Sequence, residues 1–183
     1  MDRVSERLAG LQERDKPNVL MLYYSDKGGS VSFNVAPASW MQTRLVEMGG
    51  AHPVWAESTH SGGWLVVSFE QIAAWNPDQI YIIDYVGDSK DVVASLKRDP
   101  KWQALAAVQA NQLFGFPADA FSWDQSDPRW ILGLTWLASR MNPQRFNDID
   151  IIDEVYDFFE QMYGMNHAMV EAQILPTLKG NLR

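Results

Sequence analysis

The sequence predicts an α/β fold: three layers, with a mostly parallel sheet between two layers of helices. Three observations predict it. Apolar runs at residues 18–24 and 80–83, and a shorter one at 113–116, suit strands buried on both faces. Segments of helical character separate these runs, which calls for parallel strands joined by crossovers and covered on both sides. The 183 residues, 46% hydrophobic and 21% charged, are enough for one full core. The sequence shows no internal repeat, low-complexity tract or second domain.

Each element has a local reason. Residues 1–14 are polar and charged, with Val4, Leu8 and Leu11 on one helical stripe. Lys16-Pro17 precedes the first strand, and residues 26–34 read as a Gly- and Ser-containing loop. Pro37 opens a helix over residues 39–48 that Gly49-Gly50 stops. A short strand near Pro53-Val54-Trp55 leads to a loop holding Gly62-Gly63-Trp64. Ser68-Phe69-Glu70-Gln71 reads as a capping box, and its helix ends before Asn76-Pro77. After the strand at 80–83, residues 89–97 form a helix, and Asp99-Pro100 caps a short one carrying Trp102 and Leu105. The strand Leu113-Phe114-Gly115-Phe116 stops at Pro117 and delivers an aromatic loop, Phe121-Ser122-Trp123. Two long helices follow, one opened by Asp127-Pro128-Arg129-Trp130 and one running from Asp150 to Tyr163, with a weaker one at 167–175.

Composition excludes several functions. A formal net charge of -8 and a pI of about 4.8 argue against a nucleic-acid partner, which needs a basic face. With no cysteine there is no disulfide framework, thiolate metal site or thiol nucleophile. His52, His60 and His167 are scattered without ligand spacing and read as loop or surface residues, so no metal site is expected. Ser25, Ser30 and Ser122 lack the strained elbow of a nucleophilic serine. Gly28-Gly29 and Gly62-Gly63 form neither a dinucleotide fingerprint nor a phosphate loop. The acids Asp148, Asp150, Asp153, Glu154 and Asp157 alternate with isoleucines at a helix start, which fits capping and dipole compensation. A binding protein without intrinsic cofactor, and not an enzyme, is expected.

In sheets of this kind ligands sit beyond the carboxyl ends of the strands. That rule selects residues 25–34, 57–67, 84–89 and 118–127. These loops hold Asn34, Trp64, Tyr85, Phe121 and Trp123. The rings either face a cleft as flat apolar contacts or plug the ends of the core. Asn34 is the candidate hydrogen-bonding residue.

The order of segments resembles the C-terminal lobe of class III periplasmic substrate-binding proteins. The resemblance covers residues 16–164. It rests on Lys16-Pro17-Asn18-Val19-Leu20, on the helix ending Leu45-Val46-Glu47-Met48-Gly49-Gly50, and on Val67-Ser68-Phe69-Glu70-Gln71-Ile72 followed by Trp75-Asn76-Pro77-Asp78-Gln79-Ile80. The closing helices, with Leu132-Gly133-Leu134-Thr135-Trp136-Leu137-Ala138 and Asn142-Pro143, complete it. The resemblance implies a Rossmann-like single lobe over residues 16–183, with residues 1–15 the end of an interlobe helix. It implies an ABC importer's solute receptor that takes an iron-siderophore, haem or cobalamin-like chelate between two lobes, with the N-terminal lobe missing here. Glu70 is then expected to dock on the permease subunits; its other role is a favourable charge in a helix first turn. The implied setting is periplasmic and membrane-anchored, with the signal or anchor expected upstream. A cofactor-binding subunit of an α/β enzyme and a sensor domain of the same fold are the alternatives.

Overall fold

The computed structural model describes residues 2–59 and 62–182. In chain order its helices and strands are α1 (Asp2–Leu8), β1 (Asn18–Lys27), β2 (Ser30–Val35), α2 (Met41–Met48), β3 (His52–Pro53), β4 (Leu65–Val67) and α3 (Phe69–Trp75). Then come β5 (Gln79–Ile83), α4 (Ser89–Leu96), α5 (Pro100–Gln103), α6 (Ala106–Gln109), β6 (Leu113–Gly115), α7 (Trp130–Met141), α8 (Ile151–Tyr163) and α9 (His167–Gln173). The sheet runs β4-β2-β1-β5-β6, and the two-residue β3 lies beside the start of β1. Pairs β1–β5, β5–β6 and β1–β3 are parallel, while β1–β2 and β2–β4 are antiparallel.

The antiparallel part corrects the sequence reading. Residues 26–34 are a hairpin rather than a loop. Gly28 and Gly29 take φ of 63° and 83°, the left-handed values that a two-residue hairpin turn requires, and Lys27 pairs with Ser30 across it. Residues 65–67, also expected in a loop, form the edge strand β4 against β2. The hairpin projects past the end of β5, whose last residue Ile83 is level with Tyr23. It then brings the chain back, so Asn34 lies opposite Tyr23 and α2 begins near the rim where β5 ends.

Strand β1 is buried on both faces: Val19, Leu20, Met21 and Leu22 are at most 2% exposed. The sides of the sheet alternate as pleating demands. Tyr81 and Phe114 pair and stack at 5.7 Å, and Tyr81 meets Trp136 of α7 edge-on at 5.5 Å. Gly115, on the opposite side, lies against Ser89 at the start of α4. Helices α2 and α7 pack on each other over one face, with α8 against α7; α4 and α6 cover the other. This is the three-layer α/β architecture expected.

Caps define the helix starts. Ser68 Oγ accepts from the backbone N–H of Gln71, Asp99 Oδ1 from Lys101 and Asp150 Oδ1 from Ile152. The acidic run therefore caps α8 and pairs with α1: Glu154 meets Arg3 and Asp148 meets Arg7. Beyond α9 the tail covers the sheet edge. Asn181 exchanges hydrogen bonds with Gly115 of β6, its side chain accepting at 2.7 Å and its backbone donating at 2.9 Å. Among the described residues no helix is long and apolar enough to cross a membrane.

Candidate functional site

A cavity of about 780 Å³ opens at the carboxyl-end rim of β5 and β6. Its walls come from three of the regions that end at this rim: the start of α2 with Trp40 and Gln42, the loop after β5 with Tyr85, and the loop after β6 with Phe121, Ser122 and Asp124. Trp64, just before β4, closes a fourth side.

The wall is aromatic and continuous. Trp40 meets Trp64 edge to face at 5.5 Å and 86°. Behind them Tyr23 of β1 contacts Trp64 at 5.1 Å and Tyr85 at 4.8 Å. Phe121 is 58% exposed yet not loose. The guanidinium of Arg129 lies 5.1 Å over its ring, and Arg129 Nε donates to both oxygens of buried Asp119 at 2.9 and 2.7 Å. Asp119 in turn accepts from the Phe121 N–H at 2.8 Å.

The floor is polar. Asp124 has no exposed surface. Its Oδ2 accepts from the Tyr85 hydroxyl at 2.5 Å and from Gln42 Nε2 at 2.7 Å, and its Oδ1 accepts from the Ser122 hydroxyl. One carboxyl thus ties together α2 and the loops after β5 and β6. Burial pushes the Asp124 pKa up, and the three hydrogen bonds, which favour the carboxylate, only partly offset this. Burial first, and then the Asp124 charge, push the Tyr85 phenol well above its ordinary value, so it stays a donor. Gln42 is 6% exposed, and its Oε1 has no hydrogen-bond partner among the described residues. None of the described lining residues is Lys or Arg.

Trp64, Tyr85 and Phe121, singled out from the sequence, line this cavity together. Two other expectations fail on position. Trp123 is wholly buried, with its backbone oxygen against Gly133 of α7, so its ring plugs the core and offers no face to a ligand. Asn34 lies within β2, 6% exposed, donating to the Tyr23 carbonyl at 3.2 Å and to Ser32 Oγ at 3.3 Å; its amide braces the hairpin. Trp40, Gln42 and Asp124 were missed. The alternation Val31, Phe33, Val35 around Gly28-Gly29 was the available sign that a strand, and hence a rim loop, precedes Trp40.

Glu70 is exposed in the first turn of α3. Its own backbone N–H and the Ser68 hydroxyl hold its carboxyl below the usual range. His52 sits 3.1 Å from the Glu13 carbonyl, His167 stacks on Tyr156 at 4.1 Å, and His60 lies outside the described residues. Among the described residues no three His, Asp or Glu side chains gather as a metal-holding group.

Comparison with known proteins gives a consistent picture. Residues 1–120 match the family profile described as periplasmic binding protein. Over 124 residues the chain is 32% identical to the molybdate-binding protein MolA of Haemophilus influenzae, covering 67% of this chain and 34% of that protein. The fold superposes on molybdate-bound MolA with a TM-score of 0.70 at 24% identity, over 91% of this chain and 48% of that one. Helicobacter pylori CeuE in its Ni–His complex gives 0.71 at 21%, over 94% and 52%. The TroA-like protein FepB of Veillonella parvula gives 0.65 at 17%, over 90% and 50%. The chain therefore spans about a third of MolA's full length and about half of the solved chains. With the profile matched over most of its length and the fold shared, this chain belongs to the periplasmic binding protein family.

Proposed function

We propose that this lobe is one jaw of the solute site of an ABC importer's extracytoplasmic receptor, and that it binds rather than catalyses. The ligand is a metal chelate with a flat apolar face, such as an iron-siderophore, haem or a cobalamin-like complex. The observation that carries this reading is the convergence of Trp40, Trp64, Tyr85 and Phe121 on one open cavity of about 780 Å³ at the strand ends. Such a cavity is within the size range of small-molecule sites, and its aromatic lining with a few convergent polar groups is their usual chemistry. A second lobe, as in relatives of twice this length, would supply the other half of the enclosure. Glu70, exposed where α3 begins, is the residue assigned to meet cationic groups of the permease. The test is tryptophan fluorescence of the full-length protein titrated with ferric siderophores, haemin and cyanocobalamin. Saturable quenching by one of them, weakened in Trp64→Ala, is expected. No response to any of them removes the chelate assignment.

A second reading, an oxyanion ligand, is favoured by the similarity to MolA, whose ligand is molybdate. Met41 and Gln42 at the start of α2 line the cavity, and Trp40 at the N-cap gives the first-turn N–H groups no side-chain hydrogen bond. Unsatisfied N–H groups at a helix start favour anions. Molybdate added to the same titration decides between the two.

A further inference from the structure

We propose that residues 178–181 form a strap that sets two ligand-facing turns of the cavity against each other, the turn bearing Tyr85 and the turn bearing Phe121. Lys179 is a positioning residue that acts through Tyr85. This rests on the solute-binding reading and adds to it an element that lies outside the cavity lining.

Each turn is organised within itself. After β5, Asp84 Oδ1 accepts from the backbone N–H groups of Val86 and Gly87 at 2.9 and 3.0 Å, which closes residues 84–87 around Tyr85. After β6, the Asp119 N–H donates to the Phe121 carbonyl at 3.1 Å and the Trp123 N–H to the Pro117 carbonyl at 3.2 Å. The Phe121 N–H donates back to Asp119 Oδ1 at 2.8 Å. With each turn stiff in itself, the spacing of Tyr85 and Phe121 depends on what joins the two. At the cavity the Tyr85 hydroxyl donates to Asp124 Oδ2. At the strand ends Ser89 Oγ donates to the Phe116 carbonyl at 2.8 Å.

The strap adds joints of its own. Lys179 forms an antiparallel bridge with Ala118, its N–H donating to the Ala118 carbonyl at 2.8 Å. From that anchored position Lys179 Nζ donates to the Gly87 carbonyl at 2.9 Å, a charge-assisted bond. The next N–H, that of Gly180, donates to Asp88 Oδ1 at 2.9 Å. One residue therefore holds both turns, the Phe121 side by its backbone and the Tyr85 side by its side chain. Gly180 lets the strap lie this close. Its φ is 82°, and a Cβ there would lie 2.6 Å from the Phe116 carbonyl oxygen and 2.9 Å from that of Gly115. Without the Lys179 bond the Tyr85 turn samples other positions, and apparent affinity falls with the fraction of time it is in place.

The test uses the full-length protein and its variants. In hydrogen exchange without ligand, Lys179→Met should speed the Val86 and Gly87 amides while Ile82 of β5 stays protected. Gly180→Ala, which pushes the whole strap away, should speed Phe121 and Trp123 as well. Calorimetric titration follows with cyanocobalamin, a ferric linear trihydroxamate, haemin and molybdate. Lys179→Met should weaken whichever of them binds by about fivefold, with the melting temperature held within about 3 °C. Lys179→Arg keeps a charged donor and should restore affinity to within about twofold. In a Tyr85→Leu background Lys179→Met should cost less than about twofold, because the ring it positions is gone. If Gly180→Ala does not fold, the Lys179 variants decide. Unchanged exchange at Val86 and Gly87, unchanged affinity in Lys179→Met, or the same loss in both backgrounds overturns the positioning role and leaves the solute-binding reading standing. Failure of the unaltered protein to bind any of the four probes overturns both.

Discussion

Asp124 and Asp148 show how opposite surroundings set opposite responses to pH. Asp124 is wholly buried, so its folded pKa is raised. The folded state then binds more protons than the unfolded one between the two values. Its contribution is fully present below the usual carboxylate range and is lost as pH rises through the folded value. Asp148 is exposed and hydrogen-bonded by Arg7, which holds its carboxyl down to about 2. Its contribution is present above the usual range and lost as pH falls toward 2. Denaturant midpoints from pH 2 to 8 should therefore decline less on the alkaline side in Asp124→Asn than in the unaltered protein. They should decline less on the acid side in Asp148→Asn. Parallel curves for all three proteins would refute both assignments. The aromatic residues divide the same way. Trp55, Trp102, Trp123 and Trp136 are core, at most 3% exposed, while Trp40 and Trp64 are partly exposed at the cavity. Type alone could not separate them. Trp123 is two residues from exposed Phe121, yet it is wholly buried in the core, its backbone N–H donating to the Pro117 carbonyl at 3.2 Å and its backbone oxygen against Gly133 of α7.

At the scale of elements, the loop after β6 is held against α7 at Gly133. A Cβ there would run into the Trp123 backbone oxygen and lie 3.1 Å from the Phe116 ring. Neither neighbour is a flexible tip, so Gly133→Ala should cost about 1–3 kcal/mol in chemical denaturation. Because that loop carries Phe121, Ser122 and Asp124, the same variant should also weaken ligand binding. A neutral effect on both would mean the loop is free to shift. At the other cap, Asp150→Ala should cost about 1 kcal/mol, read in the same experiment, since Asp150 accepts from the Ile152 N–H at 2.8 Å. Legibility also varied by element. Strands β1, β5 and β6 are apolar runs and announce themselves, as do the capped helices α3, α5 and α8. Strands β2 and β4 do not. Each is half-buried, and β4 is only three residues long. Their pairing rather than their composition makes them strands. The rule that ligands sit at strand ends reached Trp64, Tyr85 and Phe121. It missed Gln42, whose partner Asp124 lies 82 positions away, a separation no local pattern encodes.

Taken whole, the molecule is a layered scaffold that carries most of its cavity on one rim. Rings supply the contact area, Arg129 and Asp119 stiffen one side, and Asp124 binds three segments beneath. A cavity open on one side encloses only part of a ligand, and affinity depends on enclosure and pre-organisation rather than area alone. If a second lobe completes the site, as proposed, residues 1–183 in isolation should bind the ligand at least about a hundredfold more weakly than the two-lobe protein, measured by the same titration. Equal affinity would mean that this lobe alone is the site. The most direct measurement is hydrogen exchange on the full-length protein with and without the ligand that quenches it. Slowed exchange should appear in residues 39–42, at Trp64 and Tyr85, and across residues 120–126. Tight binding that leaves those segments unprotected, with slowing elsewhere on this lobe, would contradict the placement of the site.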